Sequence, residues 1–353
     1  MVSTSNLQSR RIDVEDSFDA IQDYYDEQGW TDGLPVVPAT EELVRRMLAG
    51  CEGAPNDSLG IIQPRNARVT LEKIAINAVM AGCRPEYFPV VVAAVKAMLQ
   101  DEFNVAGVSS TTGGATPAVI VNTPIARQLG INGDAGCFGP GYRANSSIGR
   151  ALRLMIRNVG GLIPGEMDKA TLSTPARFSF CFSENEERSP WEPRHLELGY
   201  SPSDSIVTVA GIRGIYVVME TTVPTGFEVL QTLVGTMTGS GVSNYYQIGT
   251  GAQIVLVLCP EHAADIAASG LSKADVREYV YQNARMPLRQ LIGVAHYGNR
   301  NWPSWVDEAN PDTMVPIVRS SDDLVVVVAG GDGRHSAWLA GWGVTRIVTQ
   351  QIV

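Results

Sequence analysis

Three segments constrain the fold of this chain more than any other feature. TPAVIVNTPIARQLG (116–130), AQIVLVLCPEHAADIAASG (252–270) and DLVVVVAGGDGRHSAWLAGWG (323–343) each pass from a short continuous apolar run, through a turn, into a helical pattern. A half-solvated strand alternates apolar and polar residues, so a strand apolar at every position must be covered on both faces. The expectation is an α/β fold with mixed sheets, its buried apolar strands flanked by helices. In such sheets functional groups gather where strands give way to helices. Those turns are Asn122-Thr123-Pro124, Cys259-Pro260-Glu261-His262 and Gly330-Gly331-Asp332-Gly333-Arg334-His335. The likeness among the three is one of design and does not establish a repeat.

At 353 residues the chain can bury a large core. It reads as two intimately packed domains, 15–165 and 166–353, behind a loose N-terminal arm over 1–14. Ser272, Thr70 and Thr40 are candidate caps for helices that follow them. Gly29 should stop a first helix and Pro85 should separate two very apolar ones. The Gly, Pro and Asn content of residues 50–68 predicts a loop there. RFSFCFSENEERSPWEPRH and DSIVTVAGIRGIYVVME alternate as strands, and 296–316 reads as a long loop of the kind that covers a site.

Charge and cysteine usage narrow the function classes. Lys plus Arg number 27 against 37 Asp plus Glu, a net charge of -10. That excludes a broad nucleic-acid or anionic-membrane surface, while still allowing a local basic pocket. No apolar run approaches the roughly 20 residues of a membrane span, and the first residues lack a signal core. The five cysteines, at 51, 83, 137, 181 and 259, include no CxxC pair and no zinc-site spacing. They predict a cytoplasmic protein with individual thiols rather than a disulfide framework.

The segment NGDAGCFGPGYRANSSIGRALRLMIRN (132–158) places Cys137 among glycines just before a helix. Glycines permit close backbone approach, and a helix N-terminus favours anions and depresses nearby thiol pKa values. Cys137 is therefore the first catalytic candidate, with Cys83, beside Arg84 at a helix break, as the second thiol. Both have blander readings: Cys137 as a small buried residue in a tight turn, Cys83 as part of a helix C-terminus. Glu184 and Glu186 at a strand end are acid or base candidates, and His195 is a weaker one. Arg334 and His335, read as opening a helix after a buried strand, suit substrate contact and proton transfer. Asp32, Thr111, Thr112, Asn122, Arg143 and Arg150 are candidate substrate contacts. Asp32 equally suits a turn cap, and the arginine face formed by Arg150, Arg153 and Arg157 equally suits a solvated surface. No GxxxxGK[ST], GxGxxG, GxSxG or HExxH occurs, so no cofactor and no metal is assigned.

The strings GWTDGLPVVP, INAVMAGCRPEYFPV, GCFGPGYRANSSIGRALRL, CFSENEERSPWEP and VAGGDGRHSAWL resemble an uncharacterised bacterial family. Its members are fused to or neighbour UGSC-motif (seleno)proteins. The likeness runs from about residue 18 nearly to the end of the sequence, and the UGSC motif itself is absent. The resemblance implies a shared fold, a site around Cys83, Cys137 and Cys181, and a redox (seleno)protein as partner. It supplies no substrate.

Three functions follow as expectations. The first is a cysteine-dependent reductase, lyase or hydrolase acting on a small anionic organic molecule, its thiolate serving as nucleophile or redox group. Backbone N–H groups at the start of the helix near residue 144 would hold developing charge. The second is metal-assisted or acid/base chemistry without covalent thiol involvement. The third is a non-catalytic subunit of a redox complex. A homo-oligomer is expected as a prior from the glycine turns and the apolar helices.

Overall fold

The computed structural model describes residues 7–222, 225–245, 247–293 and 302–353. The expected arm over 1–14 and the covering loop over 296–316 fall partly outside these residues. What is described of the arm is not loose: the backbone N–H groups of Gln8 and Ser9 donate to the Glu72 carboxylate at 2.9 and 2.8 Å.

Helices α1 (Phe18–Glu27) and α2 (Glu41–Leu48) start where Ser17 and Thr40 hydroxyls accept backbone N–H groups. Residues 50–68 differ from the loop expected. Strands β1 (Ser58–Ile62) and β2 (Ala67–Thr70) pair there as an antiparallel hairpin. Asn66 turns it at φ +53, a conformation Asn tolerates, and strands this short leave little alternation to detect. Thr70 caps α3 (Leu71–Met80), and α4 (Phe88–Met98) follows the break at Pro85. Next come α5 (Val105–Ser110), β3 (Thr116–Val121), α6 (Ile125–Leu129), α7 (Arg143–Asn158), β4 (Cys181–Ser183) and α8 (Arg194–Glu197). The long strand β5 (Ser205–Met219) leads to α9 (Gly226–Gly239), α10 (Gln247–Thr250), β6 (Ile254–Leu258), α11 (Pro260–Ala268) and α12 (Lys273–Asn283), the last capped by Ser272. A short pair, β7 (Arg285–Pro287) with β8 (Met314–Pro316), precedes β9 (Leu324–Val328), β10 (His335–Gly341) and β11 (Val348–Ile352).

The first two apolar units are strand, turn and helix as expected. The third is not, because HSAWLAG forms β10, a strand, where a helix was predicted. Its residues fill the gap between β5 and β6, pairing antiparallel with both. A short run that is buried almost throughout carries no period by which helix and strand can be told apart.

One seven-stranded mixed sheet, ordered β4-β3-β5-β10-β6-β9 with β11 also on β5, joins the two expected units. Alternation along its strands sorts side chains between two faces. Ala118 and Ile120, Val255 and Val257, Val325 and Val327, with Phe182 and Leu339, share one cluster on the inner face. On the outer face Val119 and Val121 meet α3, α4 and α7, whereas Leu256, Val326 and Trp338 meet α9, α11 and α12. Because the inner cluster takes residues from both edge strands, the sheet curls. The Asn185 N–H, just past β4, donates to the Val328 carbonyl at the end of β9 at 2.7 Å.

Candidate functional site

Parallel strands β6 and β9 end side by side, at Leu258 and Val328, directly before Cys259 and Ala329. Cys259 is the N-cap of α11, with Pro260 at the first helical position, where its missing N–H costs nothing. This places His262 one turn on, three residues away and able to face the thiol. Ser336, at the start of β10, accepts the Cys259 backbone N–H at 3.0 Å, and its hydroxyl lies 2.7 Å from His262 Nδ1. His262 Nε2 lies 3.0 Å from the Glu220 carbonyl oxygen. A carbonyl can only accept, so Nε2 carries the proton and Nδ1 of the neutral ring accepts from the Ser336 hydroxyl. Burial opposes ionisation of Cys259. Hydrogen bonding by His262, through side chain and backbone, its charge, and Ser336 outweigh that and hold the thiol below its ordinary value. Burial likewise presses the His262 pKa down, but the bonds to Cys259 and to the Glu220 carbonyl raise it overall. The two shifts share one physical origin, the attraction between a thiolate and an imidazolium.

The turn 330–335 flanks this pair. Glu261 accepts the backbone N–H groups of Gly333 and Arg334 at 2.6 and 2.8 Å, and Arg334 donates to Asp265 at 2.6 Å. Gly330 and Gly333 take φ of +105 and +122, and a Cβ on Gly330 would sit 3.9 Å from that of Cys259. His335 is exposed, starts a strand instead of a helix, and bonds the Gly333 carbonyl at 2.5 Å. Arg334 and His335 therefore belong to the rim of the Cys259 site, not to a helix start.

The first sequence candidates are placed otherwise. Cys137 is buried on the inner face, and burial pushes it up to about 11 in spite of N–H groups from Cys137, Phe138 and Gly330 directed at it. Burial also pushes Cys83 up to about 12, and its thiol donates to the Ser147 carbonyl at 3.3 Å. The depressed pKa values expected for both are thus reversed, since loss of solvent exceeds the pull of nearby cations and dipoles. Cys83 and Cys137 occupy different clusters. The neighbour of Cys83 is Cys181, whose pKa is raised first by burial and then by Cys83.

The Cys137 loop instead joins the edges of the curled sheet. Its Asn132 carbonyl accepts the Ser183 N–H at 3.2 Å, and its Gly133 carbonyl accepts the Gly330 N–H at 2.8 Å. Phe138 packs edge-on against Phe180 and Phe182.

Asp32 and Arg150 answer each other through two bonds of 2.8 Å. Arg143 donates to the Gly82 carbonyl, Thr111 accepts the Trp342 indole N–H, and Thr112 accepts at its carbonyl from Thr171. Asn122, Glu184 and Glu186 form one buried network: the Asn122 amide donates to Glu184 at 2.6 Å and to Glu186 at 2.8 Å. Lys273 reaches Glu184 at 3.2 Å, and His195 Nδ1 lies 3.7 Å from Glu186. Among the described residues no group of three or more His, Cys, Asp and Glu is arranged to hold a metal ion, and no helix is long and apolar enough to cross a membrane.

Sequence reading named the CPEH turn but gave it no role. The signal was present: a cysteine ending a buried strand, with histidine three positions into the helix it opens. No protein-family model matches the chain, and no curated protein matches it.

Proposed function

We propose that this chain is an enzyme that acts on a small organic molecule through the thiolate of Cys259. The observation that supports this best is the ordered set Cys259, His262, Ser336 and the Glu220 carbonyl, in which a nucleophile, a base and a group orienting the base are all present. In the reaction the Cys259 proton passes to His262 Nδ1 as sulfur bonds to an electrophilic carbon. The protonated imidazole returns that proton to the leaving group as its bond to carbon breaks, and water, deprotonated by His262, then cleaves the sulfur–carbon bond and restores the thiol. Proton-handling neighbours favour this nucleophilic role over dithiol redox chemistry. Arg334 is already answered by Asp265 and Glu261, so the reading leaves the charge of the substrate open. Cys259 is only 1% exposed, and Gly330 of the neighbouring turn lies against it.

Alkylation of the native protein by iodoacetamide across pH, with each modified cysteine located by mass spectrometry, tests the proposal. Cys259 should react with an apparent pKa below the free-thiol value of about 8.5. The His262→Ala variant should slow that reaction at neutral pH by roughly tenfold or more. Labelling of Cys259 only after unfolding, or at the same rate in the variant, would remove the proposal.

A further inference from the structure

Helix α7 buries Ile148, Leu152 and Met155 and turns Arg150, Arg153 and Arg157 the other way. Arg150 is answered by Asp32, and Arg177, from the loop beyond α7, is answered by both oxygens of Asp168 at 2.9 and 2.7 Å. Among the described residues Arg153 and Arg157 have only backbone acceptors, the Arg177 carbonyl at 3.1 Å and the Gly29 carbonyl at 3.0 Å. Arg153 Nη1 is buried with no hydrogen-bond partner among the described residues. Among the described residues neither guanidinium has a carboxylate within ion-pairing distance. Burial, then repulsion from Arg177, pulls Arg153 down to about 9.

Arg153, Arg157 and Arg177 line one cavity of about 430 Å³ with Leu172, Pro175 and Phe178. Its two aspartates, which also attract Arg153, are already ion-paired with Arg150 and Arg177, so four guanidinium groups share two carboxylates in a protein of net charge -10. Buried cations without a counter-charge are rare unless something supplies one. Leu172 is 93% exposed and Phe178 50% exposed, so the mouth presents apolar surface to solvent.

We propose that this cavity is a binding site for a small organic oxyanion. Arg153 and Arg157 hold its phosphate or carboxylate, and its apolar body rests on Leu172, Pro175 and Phe178. Planar guanidinium forks match such groups, and two of them favour a dianion over a monoanion. The cavity is built from Asp32, α7 and residues 162–178 and shares no residue with the Cys259 centre. Thiol reactivity and anion binding therefore succeed or fail independently.

Calorimetric titration and thermal shift with phenyl phosphate, benzoate, inorganic phosphate and phenol test the site. Phenyl phosphate should bind most tightly and benzoate more weakly, with phenol failing to bind. At about 10 mM phenyl phosphate should raise the melting temperature by roughly 2 °C or more. Arg153→Met should weaken phenyl phosphate by roughly tenfold or more. Leu172→Glu, at an exposed position that folding does not need, should weaken it through repulsion at the mouth. The proposal is overturned if none of the three anions binds wild type, if phenol binds as well as phenyl phosphate, or if both variants bind phenyl phosphate like wild type.

Discussion

Arg153 gives the clearest case of a single residue whose environment opposes its charge. Burial and then Arg177 pull this guanidinium from its ordinary value down to about 9. The folded chain thus gives up this proton more readily than the unfolded chain, which binds more protons between those two values. Stability attributable to the residue rises with pH across that window, and below about pH 9 the penalty is fully present. Arg153→Met should therefore stabilise the unliganded protein at pH 7 by on the order of 1–3 kcal/mol, and the advantage should shrink above pH 9. Urea unfolding at pH 7 and again above pH 9 measures both. A variant less stable than wild type at pH 7 would mean that the cavity already satisfies the charge. Cys259 shows the reverse balance, because there His262 and Ser336 win against burial, where among the described residues no imidazole acts on Cys83, Cys137 or Cys181.

At the scale of elements, the glycine-rich loop before α7 is a seam. A Cβ on Gly133 would lie 2.3 Å from the Ser183 carbonyl oxygen, and one on Gly331 would lie 2.7 Å from the Cβ of Ala135. Both contacts involve atoms that cannot swing aside, so Gly133→Ala should cost about 1–3 kcal/mol, read as a lower melting temperature. An unchanged melting temperature would show that the β4 and β9 edges are not held this tightly. The sequence did disclose the glycines, the buried strands and the caps at Thr40, Thr70 and Ser272. Each of these is a local preference of a few residues. It did not disclose that Gly133 packs against Ser183 and pairs with Gly330, because these lie about 50 and 197 residues further along. The β10 strand was missed for a related reason: its strand character comes from β5 and β6 on either side, not from its own pattern. The CPEH turn was legible as a turn, but Ser336 and Glu220 reach His262 only through folding.

Across the whole molecule, the buried pair Glu184 and Lys273 ties the end of β4 to the start of α12, 89 residues away in sequence. Glu184 also accepts the Asn122 amide and the Arg194 backbone N–H, so its carboxylate organises three segments at once. The glutamate and lysine side chains are 0% and 7% exposed, so each is the other's main compensation in a poorly solvated place. Removing one charge leaves its partner buried, which costs more than the pair itself contributes. Glu184→Leu should therefore destabilise by about 3–5 kcal/mol, tempered by Glu197 at 3.7 Å from the same ammonium. Lys273→Met should also destabilise, whereas the double variant should recover a good part of the loss, with a coupling of about 1–3 kcal/mol in the cycle. Chemical denaturation of the four proteins measures it. Additive losses would mean that the two charges are solvated separately, and that the halves of the sheet are held by the apolar inner face alone.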